Sequence, residues 1–520
     1  MSLTQATSVP LPDARELLAR SEWAAAQPGL TDAAYRWMRA LPAERDQLAA
    51  QARDLGRPRL WPDTVAAVAR TGWRIVATAA PETPTILLVA GARALGLPIR
   101  PPDPSRAVLR RVEQLVRSGG PAYVKLGQFI ATARGLLPDD WVDAFAWCRD
   151  EVPPLPPGTA ERVIEHALGG HPRDLFASFA PEPVAAASIA QVHHAVLRDG
   201  TEVVVKVRRP GLRPRFAEAI QAMAVLAAGA EQTVEAARIA NLSGFVELFA
   251  QLVLEELDFR FEALNMVEIG LANEDAGGVG DCTVPRPCPE LVTSRVLVME
   301  RVTGVRYTDA ADQFGTRLDG DRLLRLAIQG VLEHALVYGV FHGDLHAGNV
   351  LIDNGDRFAL VDFGICGRVD ARQRAALVRM NVAFAQMDTV GQLAALQEFG
   401  AIPFDADVAA LAAELDAETE QIGARLGVDF NDPATFASVG MPQLVEAMGS
   451  LVRLLARNGF RLPKELVLFF KNILYLNGFA EAVAPTANVF GEINPVLAYF
   501  QAKHGDTIAR LLTSPLKSFE

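Results

Sequence analysis

Three residues near the middle of this chain have the chemistry and spacing to handle a nucleotide phosphate. Asp344 lies in His342-Gly343-Asp344-Leu345-His346-Ala347-Gly348-Asn349, and Asp362 lies in Val361-Asp362-Phe363-Gly364. An acid, an amide five residues later at Asn349 and a second acid thirteen beyond that are what kinase-type phosphoryl transfer requires. Asp344 would orient the attacking hydroxyl or water. Asn349 and Asp362 would hold Mg²⁺, and their hard oxygens suit that ion better than zinc or iron. His342 and His346 therefore read as packing residues of the loop rather than metal ligands.

Such a site also needs a cation on the phosphate side. Val203-Val204-Val205-Lys206-Val207 places one ammonium in an apolar strand. Taken alone, a solvated strand edge is the commoner reading. With the acids downstream, a buried Lys206 beside an acid or a phosphate becomes the better one. Upstream, Ala185-Ala186-Ala187-Ser188-Ile189-Ala190 stands where a glycine-rich loop would cover the phosphates. Alanine enters φ > 0 only at a cost, so this loop is expected to be stiff and partly helical, with amides at its start able to meet phosphate. Glu255-Glu256-Leu257-Asp258-Phe259-Arg260-Phe261-Glu262 falls in a stretch that reads as one acidic helix over 243–273. Asp258 and Glu262, four apart, would share a face and require cations, for which Lys125 and Lys206 are the candidates.

The elements that must carry these groups follow from pattern. Strands are expected at 191–198 and 202–208, joined at Asp199-Gly200, then near 281–286 and 291–301, with two short ones at 350–353 and 357–361. Helical patterns occupy 31–55, 62–80, 105–150, 159–168 and 214–240, and most of the chain beyond 320. The run Val152-Pro153-Pro154-Leu155-Pro156-Pro157-Gly158 breaks the chain between the third and fourth of these. A small β-rich lobe followed by a large helical one is an α+β, bilobal, protein-kinase-like layout. The expected divisions are a helical region over 1–104 with no nameable chemistry and a helical extension over 105–170. A β-rich lobe with a helical insertion then covers 171–303, and a helical lobe 304–520.

Bulk properties narrow the rest. At 520 residues the chain exceeds one ordinary core. A net charge of −12 argues against a nucleic-acid partner. The N-terminus lacks the basic start and apolar run of a signal peptide. The apolar stretches at 83–98 and 465–479 are interrupted too soon to read as membrane spans. None of Cys148, Cys282, Cys288 and Cys366 forms a CxxC pair, which suits reduced thiols in a cytoplasmic protein. Peripheral contact with a membrane stays open, and a dimer is as compatible with these features as a monomer.

Lys125-Leu126-Gly127-Gln128, the alanine-rich loop, the Glu256-x-Asp258 acids with Glu262, HGDLHAGN and DFG occur in one order over roughly residues 105–485. In this the chain resembles the UbiB-type atypical kinases, the ubiquinone-biosynthesis accessory ATPases related to protein kinases. The resemblance implies ATP or ADP and Mg²⁺ as ligands. It implies that Lys206 contacts phosphate and pairs with Glu262, and that Asp344 is the catalytic-loop acid, with Asn349 and Asp362 on the metal. Ala186, Ala187 and Ser188 would cover the nucleotide, and the backbone of Glu300 and Val302 would meet adenine at the hinge. Lys125, with Gln128 beside it, would reach Glu256 and Asp258 and lay the extension across the groove that admits a peptide in protein kinases. Leu462-Pro463-Lys464-Glu465-Leu466 through Gly478 resembles the family's late helix. The chain departs from the pattern at Ala131, Ala133 and Gly135 and at Cys148-Arg149-Asp150, near the extension rather than the nucleotide machinery.

The expected activity is ATP hydrolysis or phosphoryl transfer coupled to a lipid-like or other small molecule, in isoprenoid-quinone or specialised metabolism. Two rivals remain. HGDLHxGN also resembles aminoglycoside and choline phosphotransferases, which phosphorylate small alcohols directly. A nucleotide-sensing scaffold for a biosynthetic complex or a membrane surface is the other.

Overall fold

The structure is a computed structural model, and it describes residues 14–59, most of 109–131, 139–149, 153–233, 241–426 and most of 450–513. The helix expected over 62–80 lies outside the described residues, as do the ends of those expected over 105–150 and 214–240.

A five-stranded antiparallel sheet forms the small lobe: β1 (Ser178–Ala186), β2 (Ala190–Val196), β3 (Glu202–Arg208), β6 (Val296–Glu300) and β5 (Pro287–Val292), in that spatial order. Alternation along β3 decides what each residue does. Val203, Val205 and Val207 are fully buried, packed with Ile164 of helix α3 (Thr159–Leu168) and with Phe176. Lys206 therefore points from the opposite face. The β2–β3 turn needs φ > 0, which Gly200 supplies at +92°, and Asp199 accepts a bond from the Thr201 amide.

β1 escapes the sequence pattern because Pro181 and Pro183 interrupt it. It is the edge strand and bulges on both sides of Pro183, and an edge is where a sheet tolerates proline. The alanine loop is not partly helical as expected. It is a tight hairpin turn in which the Ala187 amide donates to the Ala190 carbonyl, because β1 and β2 pair up to Ala186 and Gln191 on either side.

The acidic segment is not one helix. It breaks into α5 (Leu242–Glu256) and α6 (Phe259–Asp275), with Asp258 capping α6 by accepting from the Arg260 amide. A cap residue is not on the helix face, so Asp258 and Glu262 do not stack. Ahead of this bend lie α1 (Leu30–Leu55), α2 (Pro121–Ala131) and α4 (Leu212–Thr233). Leu41, Leu48, Ala52 and Leu55 follow helical spacing and pack α1 into a core shared with α2, α4 and α5.

The large lobe holds α7 (Gly320–Glu333), α8 (Ala371–Ala385), α9 (Thr389–Phe399), α10 (Val408–Leu426), α11 (Lys464–Val483) and α12 (Ile493–Thr513). A second sheet runs β4 (Cys282–Thr283), β10 (Arg357–Leu360), β9 (Val350–Asp353), β7 (Val305–Arg306), with β4 parallel to β10. β8 (Val340–His342) pairs with β11 (Cys366–Arg368), Cys366 opposite His342. Among the described residues α11 alone is long and apolar enough to cross a membrane, and 61% of its most apolar window is buried in the protein. It is a core helix of this fold.

Candidate active site

Backbone pairing brings the two motif loops together. The Gly343 amide donates to the Ile365 carbonyl at 2.9 Å and the Val361 amide to the Asn349 carbonyl at 3.0 Å. Asp344, Asn349 and Asp362 are thereby held on one wall. Asp362 sits at φ +59°, a left-handed conformation that a non-glycine residue keeps only where its surroundings impose it. Its Oδ1 accepts from the Gly364 amide at 3.2 Å, while half of its side chain stays open to the cleft.

Lys206 crosses to this wall from β3. Its ammonium lies 2.7 Å from Glu262 of α6 and 3.0 Å from Asp362. Burial alone would push the ammonium down, but Asp362 and Glu262 together hold it above its ordinary value. For Asp362 burial opposes ionisation, and Lys206, Lys125 and the Gly364 amide outweigh it, bringing the carboxyl down to about 2.

α6 is buried almost all round, so each polar side chain on it must be satisfied by protein. Glu262 takes Lys206. Asn265 donates to the Phe363 carbonyl at 2.6 Å and accepts from Arg368 at 2.6 Å. Glu268 also receives Arg368, and Asn273 donates to the Cys282 carbonyl at 2.9 Å. One helix thus fixes both the lysine and the backbone that follows Asp362.

The extension reaches the same cleft. Lys125 on α2 lies 2.7 Å from Glu256. One turn on, Gln128 accepts from the Ser188 hydroxyl at 3.1 Å and donates to the Cys148 carbonyl at 3.0 Å. α2 is tied to both the end of α5 and the alanine turn. Gly127 between these residues permits the approach, since a Cβ there would stand 2.4 Å from the Cys148 sulfur. Asp258 does not join Lys125, contrary to expectation. Its carboxylate is engaged by Arg260, which also reaches Glu44 of α1 at 2.7 Å.

Ala186 closes β1, Ala187 makes the turn and Ser188 is buried beneath it on Gln128. Glu300 ends β6, with its amide committed to the Arg286 carbonyl and its carboxylate to the Arg286 side chain. Val302 follows in the connection between the two lobes, half-buried.

Sequence reasoning missed what holds Asp344. Lys471 and Tyr475 of α11 donate to its Oδ1 at 2.8 and 3.0 Å. Burial would raise this carboxyl, but Lys471, His346 and Lys125 keep it far below the ordinary range. On the same helix Lys464 pairs with Glu255 at 2.6 Å, and Asn472 donates to the His342 carbonyl at 2.5 Å. The available signal was charge within an apolar run: Lys464 and Lys471 on a buried helix need acids beside them. Arg45 of α1 was also missed. It lies buried 3.8 Å from Glu255, over the Phe261 ring, and is pushed down to about 10 by burial and by Arg368.

Four carboxylates (Glu256, Glu262, Asp344 and Asp362) and three ammonium groups (Lys125, Lys206 and Lys471) thus converge on a cleft between a β-rich lobe and a helical one, the layout of a protein-kinase-like fold. Residues 148–395 match the ABC1 atypical kinase-like domain. An uncharacterised Mycobacterium tuberculosis protein is 35% identical over 436 residues, covering 82% of each chain. An Arabidopsis thaliana protein described as a chloroplastic aarF domain-containing protein kinase is 32% identical over 391 residues, 73% of this chain and 72% of its own. A probable protein kinase UbiB of Pseudomonas putida is 30% identical over 406 residues, 77% of this chain and 72% of its own. The chain belongs to the UbiB-type ABC1 family of atypical kinases. A solved Mycobacterium tuberculosis structure, of Rv3197 with erythromycin, aligns over 69% of this chain and 90% of its own at 21% identity, with a TM-score of 0.39. That likeness is too slight to bear on shape or ligand.

Proposed function

We propose that this protein binds Mg-ATP in the cleft between its lobes and hydrolyses it or transfers its terminal phosphoryl group, in work coupled to a small or lipid-like molecule. The observation that carries this reading is Lys206, held at 2.7 Å from Glu262 and 3.0 Å from Asp362 on a wall shared with Asp344 and Asn349.

The donor set fits magnesium. The Asn349 amide nitrogen donates to the Asp344 carbonyl at 2.9 Å, and its side-chain oxygen accepts no bond among the described residues. Asp362 offers an open carboxylate. No cluster of three or more His, Cys, Asp or Glu suited to a metal occurs among the described residues. Mg²⁺ prefers six oxygens, so two protein ligands suit an ion that arrives with phosphate oxygens and water. When bound, the ion supplies charge neutralisation that this acidic cleft lacks. Lys206 meets phosphate from the sheet side. Asp344, kept ionised by Lys471, is a weak proton acceptor and acts by orienting the nucleophile.

Lys125 and Gln128 pin the extension over the cleft at two points, which favours a small acceptor or water over a peptide. An isoprenoid-quinone or specialised-metabolism role rests on the family alone. The test is nucleotide turnover by the purified chain with Mg²⁺, followed by phosphorus NMR. ADP and inorganic phosphate are the expected products. A phosphorylated metabolite would instead support direct transfer to a small alcohol. Binding without turnover would support the scaffold reading.

A further inference from the structure

A second cavity of about 350 Å³ lies behind the catalytic loop. None of Lys206, Glu262, Asp362, Lys125 or Glu256 lines it, so it is not the nucleotide cleft. Its body is apolar, built by Leu326, Ala327, Leu345, Phe358 and Phe479 from α7, the loop, β10 and α11. The charges at its rim already have partners. Glu333 takes Lys503 at 2.9 Å, the Tyr499 hydroxyl at 3.0 Å and His504 at 2.5 Å, and Asp281 takes Arg322. Among the described residues the acids and the lysine at this rim are thus already paired.

One further observation marks this space as kept open. Gly330 stands inside α7, where glycine costs roughly 0.5–1 kcal/mol relative to alanine. A Cβ at Gly330 would meet no atom within 4 Å. The side chain the helix would prefer is missing where it would fill the cavity. A volume of this size falls at the lower end of small-molecule sites.

We propose that this cavity binds a neutral, largely apolar small molecule, and that the catalytic loop senses it. Leu345 follows Asp344 directly. Tyr475 lines the cavity, and its hydroxyl donates to Asp344. A molecule seated there bears on the group that orients the nucleophile. The sensing half rests on the phosphotransfer reading above, whereas the binding half does not.

The neutral fluorophore N-phenyl-1-naphthylamine is the probe, titrated into the full chain without nucleotide, with 1-octanol as competitor. Saturable emission that octanol displaces is expected. Gly330→Leu should weaken probe binding about tenfold, about 1.4 kcal/mol, with a thermal midpoint equal to or above wild type because leucine is the better helix former. Gly330→Ala, whose single carbon enters open space, should fold as wild type and weaken binding less. Probe binding that is absent, or equal in all three proteins, overturns the site. In the second arm, saturating probe should change ATP turnover of wild type and leave Gly330→Leu unmoved. Unchanged turnover in an active, probe-loaded wild type overturns the sensing. Gly330-dependent binding in a protein that never turns over ATP keeps the site and removes the phosphotransfer reading instead.

Discussion

Two lysine–carboxylate pairs at the same N–O distance flank the cleft, yet they do different work. Lys206–Glu262 joins a strand to a buried helix within one lobe, and both side chains are buried, at 11% and 3% exposure. Lys125–Glu256 joins the extension to the end of α5, and a fifth of the Lys125 side chain remains exposed. In the proposed function the inner pair is part of the wall that would receive a phosphate. The outer pair ties together two helices that already share a core. Distance does not distinguish them; burial and the elements joined do.

The largest effect should come from neither lysine but from the acid facing them. Asp362→Asn should lower Mg-dependent turnover by roughly 100-fold or more, as expected for a charge that acts on the transition state; steady-state rates check this. Lys206→Met should be the most damaging to the fold, because it strands Glu262. Removing one partner of a buried pair costs about 3–5 kcal/mol, measurable by urea unfolding. Its pH dependence sharpens the comparison. Burial has pushed Glu262 up to about 7 despite Lys206, from an ordinary 4.5. A carboxyl raised in the fold binds its proton more tightly there than in the unfolded chain, so the stability that this contributes is lost as pH rises from 4.5 toward the folded value. Without the lysine that window extends above 7, and between neutral pH and about 9 the variant should lose more stability than wild type does.

Lys125→Ala should change nucleotide preference or turnover severalfold and cost less stability than Lys206→Met, because its pair keeps 20% and 9% side-chain exposure against 11% and 3% for the inner one. An equal loss of stability in both lysine variants would erase the distinction. The smallest effect concerns the thiols. Burial pushes Cys282, Cys288 and Cys366 up to about 12. They should react with a thiol reagent at neutral pH far more slowly in the folded chain than in urea. Folded thiols that stay neutral also make stability fall as pH climbs past 9, where unfolded thiols ionise.

A lysine in an apolar strand announced in the sequence that it needs a counter-charge, and the family resemblance rather than spacing named Glu262 as its partner. The loop residues were legible through fixed spacing. Asp258 was misassigned because spacing on an assumed continuous helix says nothing about a cap, and the bend at Leu257 is decided by tertiary packing of two helices. β1 was hidden by its prolines. The supports of Asp344 lie more than 120 residues away on α11, and only the fold reveals which acid Lys471 meets. Likewise α1 carried no motif, yet it places Arg45 beside Glu255, whose neighbour Glu256 holds Lys125.

The central claim is that Asn349 and Asp362 grip a divalent ion so that a triphosphate can be presented for attack. Calorimetric titration of ATP into the chain, with and without Mg²⁺, tests it without depending on the acceptor. Binding that requires Mg²⁺ in wild type and loses that requirement or disappears in Asp362→Asn is the predicted result. Equal affinity in all four titrations would contradict it.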